Sequence, residues 1–230
     1  MNTKKIISKF LSIISTHNEQ VIPVKQNEYE WKGSKSYWND RYKSGGTSGA
    51  GSYNRLAEFK AEILNKFVET NDIRTVVEWG CGDGNQLLHA NYPNYIGFDV
   101  SPEAIDICKQ KFQKDNTKQF ICSISNDFKT DIKGDLSISL DVIYHLIEDE
   151  IYYQYMENLF NSSSKYVCIY SCNDNLPNPC AHIKHRLFTD FIHKNLPQWH
   201  QIQVIKNKYP YCPNDENTSW SDFYFYELKH

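Results

Sequence analysis

Chemistry-bearing residues gather at four places in this sequence. In EWGCGDGNQLL, Glu78 precedes glycines at 80, 82 and 84. Glycines at alternate positions let the backbone turn tightly and approach a ligand with no Cβ in the way. The spacing is GxGxG, whereas a dinucleotide site needs GxGxxG to seat a pyrophosphate on a helix N-terminus. A nucleoside carrying a charged amino-acid tail suits this phosphate-free turn, with the Glu78 carboxylate meeting an ammonium group directly or through water. Asp99, at the end of YIGFD, is placed for its carboxylate to accept both hydroxyls of a ribose. In SLDVIYHLIEDE, Asp141, Tyr144 and His145 stand close together. Imidazole, with an ordinary pKa of about 6.5, takes a proton at neutral pH. His145 is therefore the candidate general base, and Glu148 and Asp149 are candidates to orient it. The alternative is a histidine that only touches the ligand or caps the next helix.

The fourth place is HIKHR, where His182, Lys184, His185 and Arg186 fall within five residues of an otherwise acidic chain. Such a cluster suits an anionic partner such as a phosphate. The competing reading is a solvated helix start with Arg186 paired to a carboxylate. His182 and His185 also raise the question of a metal. No third ligand stands at a convincing spacing, so none is expected.

These residues need a scaffold, and the periodicity supplies one. TVVEW (75–79), YIGFDV (95–100), QFICS (119–123), LSISL (136–140) and YVCIYS (166–171) are short β-rich runs. Helical stretches fit between them at 85–90, 102–114 and 148–160. A further helix over 189–195 precedes two late strands over 201–206 and 222–228. Strands alternating with helices predict an α/β fold with a doubly wound, Rossmann-like, mostly parallel sheet of seven strands, the last one antiparallel. In such a sheet ligands bind beyond the carboxyl ends of the strands, where Glu78, Asp99 and His145 all fall. Upstream, Leu56, Phe59, Ile63 and Phe67 recur at helical spacing, which predicts a helix from an N-cap at Ser52 to about residue 71. Residues 1–52 are read as an N-terminal extension, including a short amphipathic helix over 4–15, and residues 53–230 as the main domain. The aromatics Tyr209, Tyr211, Trp220, Tyr224 and Tyr226 are expected to pack the last strands.

Composition narrows the class. With 230 residues the chain supports one sizeable core. A net charge of −3 argues against a nucleic-acid partner. Seven cysteines without a CxxC pair fit a reducing compartment. No apolar run approaches the roughly 20 residues of a membrane span, so a cytoplasmic location is expected.

The runs VVEWGCGDGNQL, IGFDVSPEAI and DLSISLDVIYHLIED resemble the successive motifs of class I S-adenosylmethionine-dependent methyltransferases. The resemblance implies S-adenosylmethionine as cofactor. Glu78, Gly80, Cys81 and Gly82 would line its methionine part, and Asp99 with Val100 its ribose and adenine. Asn126 would reach the adenine, where the family usually carries an acidic residue, and Leu140 with Asp141 would complete the pocket wall. On the acceptor side the resemblance implies Tyr144, His182, Lys184, His185 and Arg186 around an anionic small molecule. Neither the [DN]PP[YF] run of amino-methyltransferases nor the paired-glutamate loop of arginine methyltransferases occurs.

YWNDRYKSGGTSGAGSYNRLAEFKAEIL, HIKHRLFTDFI and SDFYFYE add a narrower resemblance, to small methyltransferases of bacterial surface-polysaccharide biosynthesis. Some of these act on a capsule phosphoramidate or its nucleotide-linked precursor. Two other readings stay open: a methyltransferase for a carboxylate-bearing metabolite, and a catalytically inactive cofactor-binding partner subunit. In SGGTSGAGS, Gly46 and Gly51 have the spacing of a phosphate-binding loop, but Ser52 stands where the lysine belongs and no strand precedes it. The segment 37–52 is instead read as a lid with glycine hinges, in which Tyr42, Ser48 and Gly49 touch the methionine end of the cofactor.

Overall fold

Apolar strands that must bury both faces need helices on either side, and the chain supplies them in alternation. The computed structural model describes residues 31–124 and 128–229; the helix expected over 4–15 and Asn126 lie outside the described residues. Seven strands form one sheet: β1 (Thr75–Trp79), β2 (Asn94–Asp99), β3 (Lys118–Cys122), β4 (Gly134–Leu140), β5 (Ser163–Ser171), β6 (Trp199–Ile205) and β7 (Asp222–Leu228). Their order is β3-β2-β1-β4-β5-β7-β6. The first five pair in parallel, and β7 runs antiparallel between β5 and β6. The winding leaves β1 for one edge of the sheet and returns beside it as β4. The carboxyl ends of these two strands therefore flank the switch-point crevice.

The described helices are α1 (Ser34–Lys43), α2 (Asn54–Thr70), α3 (Pro102–Lys111), α4 (Asp149–Asn161) and α5 (Phe188–Asn195). On one sheet face Leu64, Phe67 and Val68 of α2 pack with Val76, Leu136, Ile138 and Phe225. On the other, Tyr152, Met156 and Leu159 of α4 pack with Val77, Trp79, Val167 and Ile169. Adjacent residues such as Val76 and Val77 enter opposite cores because side chains alternate along a strand.

Several local expectations change. Ser52 does not cap α2. It ends a 3-10 turn (Ala50–Ser52), and Tyr53 occupies the cap with no side-chain hydrogen bond. The helix expected over 85–90 is one 3-10 turn (Gln86–His89). Ser101 does cap α3, accepting the Ala104 N–H at 3.4 Å ahead of Pro102. Half of the lid is helical. α1 buries only Ser34 and Tyr42, so its sequence shows no apolar stripe to announce it. Tyr224 and Tyr226 do pack the last strands. Tyr211 and Trp220 instead stack on each other with ring centroids 3.8 Å apart, and both remain over 40% exposed (44% and 41%).

Candidate functional site

Two cavities meet at the carboxyl ends of β1 and β4. The first is lined by Glu78, Gly80, Cys81, Gly82, Asp99, Val100, Leu140 and Asp141, together with Tyr42 and Ser48 of the lid. The glycine turn after β1 is built for close approach. Gly80 and Gly82 have φ of +83° and +55°, and a Cβ on Gly82 would lie 2.8 Å from the Tyr42 hydroxyl. The Gly80 and Cys81 N–H groups donate to Phe98 O at 2.7 and 3.0 Å, and the Gly82 N–H donates to Asp99 Oδ2 at 2.9 Å. The turn after β1 is thus held against the end of β2.

Glu78 and Asp99 are both buried. Burial raises Glu78 to a pKa of about 7, against a smaller lowering by the Tyr95 hydroxyl, which donates to Oε2 at 2.5 Å. Burial likewise raises Asp99 to about 6, opposed by the N–H groups of Ser101, Gly82 and Val100. Buried acids poised near neutrality are favourable counter-charges for a cationic ligand and costly without one.

The segment around Ser48 and Tyr53 is fastened over this turn by a residue the sequence did not single out. Asp83 Oδ2 accepts the Ser48 N–H at 3.0 Å and the Tyr53 hydroxyl at 2.8 Å, while the Asp83 N–H donates to Ser48 Oγ at 3.0 Å. Burial pushes the Asp83 carboxyl up, yet these donors and the Asn85 N–H hold it below the usual range. Ser48 also shares a 2.9 Å hydrogen bond with Tyr42. Gly49 does not line this cavity; it lines the second one.

The second cavity, of about 550 Å³, is walled by Tyr37, Trp38, Arg41, Tyr144, His145, His182, His185, Tyr211 and Trp220, among others. That volume suits a small-molecule acceptor. Trp38, Ser48, Asp141 and His145 line both cavities and mark their junction. His145 sits edge-on to Trp38 with centroids 4.8 Å apart. Its Nδ1 lies 2.8 Å from the carbonyl oxygen of His182. A carbonyl only accepts, so the neutral ring carries its proton on Nδ1 and keeps the Nε2 lone pair. Burial lowers the His145 pKa to about 4, so the ring is neutral at physiological pH.

The expected orienting acids are elsewhere. Glu148 accepts the Ser34 N–H at 3.1 Å and the Ser34 hydroxyl at 2.6 Å, anchoring the start of α1. Asp149 binds Lys184 at 2.7 Å and Arg186 at 2.6 Å. The His182 carbonyl takes the orienting role instead. Lys184 and Arg186 line neither cavity. Arg186 also donates to the carbonyls of Leu146 and Ile147 at 3.0 and 3.1 Å, which makes it a brace for the loop before α4. His182 and His185 face the second cavity without meeting: the His182 ring stacks on Tyr37, and His185 lies beside Asp174.

Asp141 lines both cavities and is also a structural tie. Lys60, whose side chain is fully buried, lies 2.7 Å from Oδ2, and the hydroxyls of Tyr144 and Ser221 donate to Oδ1 at 3.0 and 2.9 Å. With φ +60°, Asp141 turns the chain sharply after β4. Its carboxylate ties α2, the β4 exit and the entry to β7 together. Lys60 was legible in principle: it stands four residues after Leu56 on the apolar stripe of α2, where a lysine must find a carboxylate.

A methyltransferase-domain family model matches residues 71–220, and the chain belongs to that family. No curated protein matches its sequence. Among solved structures, the N-methyltransferase NodS from Bradyrhizobium japonicum WM9, in complex with S-adenosyl-L-homocysteine, is similar with a TM-score of 0.69. Identity is 13%, over 86% of this chain and 100% of that one. Magnesium protoporphyrin IX methyltransferase from Synechocystis PCC 6803 has a TM-score of 0.63 with S-adenosylhomocysteine bound and 0.61 with S-adenosylmethionine bound. Identities are 14% and 15%, over 85% and 87% of this chain and 98% and 99% of those. The expected α/β, Rossmann-like fold and the enzyme class therefore stand: the protein is a methyltransferase.

Proposed function

We propose that this methyltransferase uses S-adenosylmethionine to methylate an oxygen of a small anionic acceptor, phosphorylated or sugar-linked. The motif resemblance points to bacterial surface-polysaccharide biosynthesis, with a capsule phosphoramidate or its precursor as the substrate class. The observation that carries the reaction type is His145, neutral and holding an Nε2 lone pair where the two cavities join.

Bound in the first cavity, the cofactor supplies a methyl group already activated by its sulfonium. Glu78 would meet the cationic amino-acid end and Asp99 the ribose, on a turn whose Gly80 and Gly82 let Val142, Ser48 and Tyr42 pack against the backbone. The lid, clamped through Asp83 and Ser48, excludes water from the methionine end. A hydroxyl nucleophile must shed a proton as the new bond forms, and His145 Nε2 takes it while the His182 carbonyl keeps the ring in orientation. Cavity walls that hold the acceptor oxygen in attack geometry would supply much of the remaining acceleration.

Recognition of the anion falls to Arg41. Its Nε donates to Thr47 O at 2.6 Å, it lines the acceptor cavity, and among the described residues it has no carboxylate partner. Tyr211, Trp220 and Tyr37 give this cavity an aromatic wall. Intact Glu78, Asp99 and His145 disfavour an inactive partner subunit.

Calorimetry with S-adenosylmethionine, followed by labelled methyl transfer to matched phosphorylated and neutral acceptors, tests the reading. Micromolar binding with transfer preferring the phosphorylated member is expected. Absence of binding would remove the cofactor assignment, and equal transfer would remove the anionic acceptor.

A further inference from the structure

Outside the methyl-transfer machinery, one cluster of ligand-type side chains has no role yet. Cys172 follows β5 directly, Asp174 comes two residues later, and His185 closes the same loop. Sγ, a carboxylate oxygen and a ring nitrogen of these residues all lie within 4.8 Å of one another. Asn173 fixes the first two by hydrogen bonding Thr189 at the start of α5, with its Nδ2 donating to Thr189 Oγ1 at 2.9 Å. The His185 N–H donates to Asn178 Oδ1 at 3.0 Å, which folds the far end of the loop back.

The geometry within the cluster is unusual. His185 is 8% exposed, and its Nδ1 lies 2.8 Å from Asp174 Oδ1. At that distance the two atoms are in ion-pair range, yet Nδ1 is buried without a hydrogen bond. Folded proteins rarely leave a buried ring nitrogen unpaired. Two ligand atoms close together but without a hydrogen bond between them are positioned to turn to one ion, which would part them from 2.8 Å to the ligand separation of that ion. In a tetrahedral site with bonds of about 2.0–2.1 Å, nitrogen and oxygen ligands sit roughly 3.3 Å apart. Asp174 Oδ1 also accepts the Leu176 N–H at 3.1 Å, which steadies the carboxylate.

We propose that Cys172, Asp174 and His185 form a zinc site in the wall of the acceptor cavity. A thiolate, an imidazole and a carboxylate select a borderline-soft ion such as Zn²⁺ over Mg²⁺ or Ca²⁺, which prefer all-oxygen sets. Three protein ligands leave a fourth position open. Cys172 and His185, though not Asp174, line the same cavity as Tyr144 and His145, so an ion held there would present that position to the cavity and could take an anionic oxygen of the acceptor. The role of the fourth position rests on the anionic-acceptor reading; the site itself does not. The expectation of no metal arose because Cys172 and Asp174 stand more than ten residues from His185 in sequence, beyond the usual ligand spacings.

Zinc content of the full chain, purified without chelator, is the first measurement, followed by Co²⁺ substitution of the chelator-treated protein. About one equivalent of zinc is expected, with a tetrahedral cobalt spectrum that includes a thiolate-to-cobalt charge-transfer band. Cys172→Ser should abolish that band, while Cys180→Ser and Cys212→Ser, at exposed thiols, should leave it intact. Asp174→Asn, at a partly exposed position, should weaken zinc by at least about tenfold, since even outer-shell changes cost that much. Absence of stoichiometric zinc, or a band that survives Cys172→Ser, would overturn the site. Calorimetry of S-adenosylmethionine on the zinc-free protein keeps the two readings separate, because cofactor affinity is expected to be unchanged by zinc removal.

Discussion

The two cavities are built by different means. The cofactor pocket is made of strand ends: Glu78, the glycine turn and Asp99 are consecutive with β1 and β2, and their positions follow once the sheet forms. The acceptor cavity is assembled from α1, the loop after β4, the loop after β5 and the stretch before β7, which are far apart in sequence. A strand tip is fixed by ladder hydrogen bonds and cannot drift, whereas a loop's side chains go wherever partners are found. One consequence is that charge in the first cavity stays available for a ligand, while much of the charge around the second is consumed internally. Lys184 and Arg186 are spent on Asp149, whereas Arg41 lines the second cavity with no carboxylate partner among the described residues.

Substitutions test that contrast, beginning at the junction. His145→Ala is expected to lower kcat roughly 10²–10⁴-fold, the usual worth of a positioned acid–base group, with cofactor affinity changed by less than about twofold. Rates at saturating acceptor and calorimetry together check it, and near-normal turnover would exclude His145 as base. Lys60→Met removes the fully buried cationic partner of the partly buried Asp141, at an expected cost of about 3–5 kcal/mol in denaturant unfolding. Adding Asp141→Asn should recover part of the loss.

The acceptor side responds next. Arg41→Ala is expected to raise KM for a phosphorylated acceptor roughly 10–100-fold, matching about 1.5–3 kcal/mol for a hydrogen bond to a charged group. Arg186→Ala should leave KM unchanged and lower the thermal midpoint instead. The reverse pattern would restore Arg186 as the substrate clamp.

The cofactor pocket should reveal itself through pH. Burial lifts Glu78 from 4.5 to about 7, so a cationic ligand binds the ionised form at the expense of a bound proton. Acidifying from about pH 8 to about pH 6 is expected to weaken S-adenosylmethionine by about tenfold, and Glu78→Gln should flatten that dependence. Stability of the ligand-free protein runs the other way. A buried carboxyl with a raised pKa binds more protons folded than unfolded, so its contribution falls as pH rises from 4.5 through about 7. Opposite slopes for binding and for stability would be the signature. The smallest effect is expected at the lid: Asp83→Ala should speed proteolytic cleavage within residues 44–52 severalfold, and cofactor should slow it in the parent protein.

What was legible follows the same division. Glu78 and Asp99 could be read from contiguous motifs because backbone geometry puts them at the crevice whatever surrounds them. His145 was legible for the same reason, one short turn beyond β4. Its orienting group was not, since a backbone carbonyl at residue 182 leaves no mark in the amino-acid pattern. Helix α1 escaped notice because it buries almost nothing, and Asp83 because an acid between two glycines reads as spacer.

By itself the sequence determined the sheet, the glycine turn and the reaction class, because alternating apolar runs and strand-end residues fix these locally. The tertiary structure alone decided which charges are free. Ion pairs such as Lys60–Asp141 and Arg186–Asp149, and the meeting of Cys172, Asp174 and His185, depend on contacts between segments that only packing brings within a few ångströms.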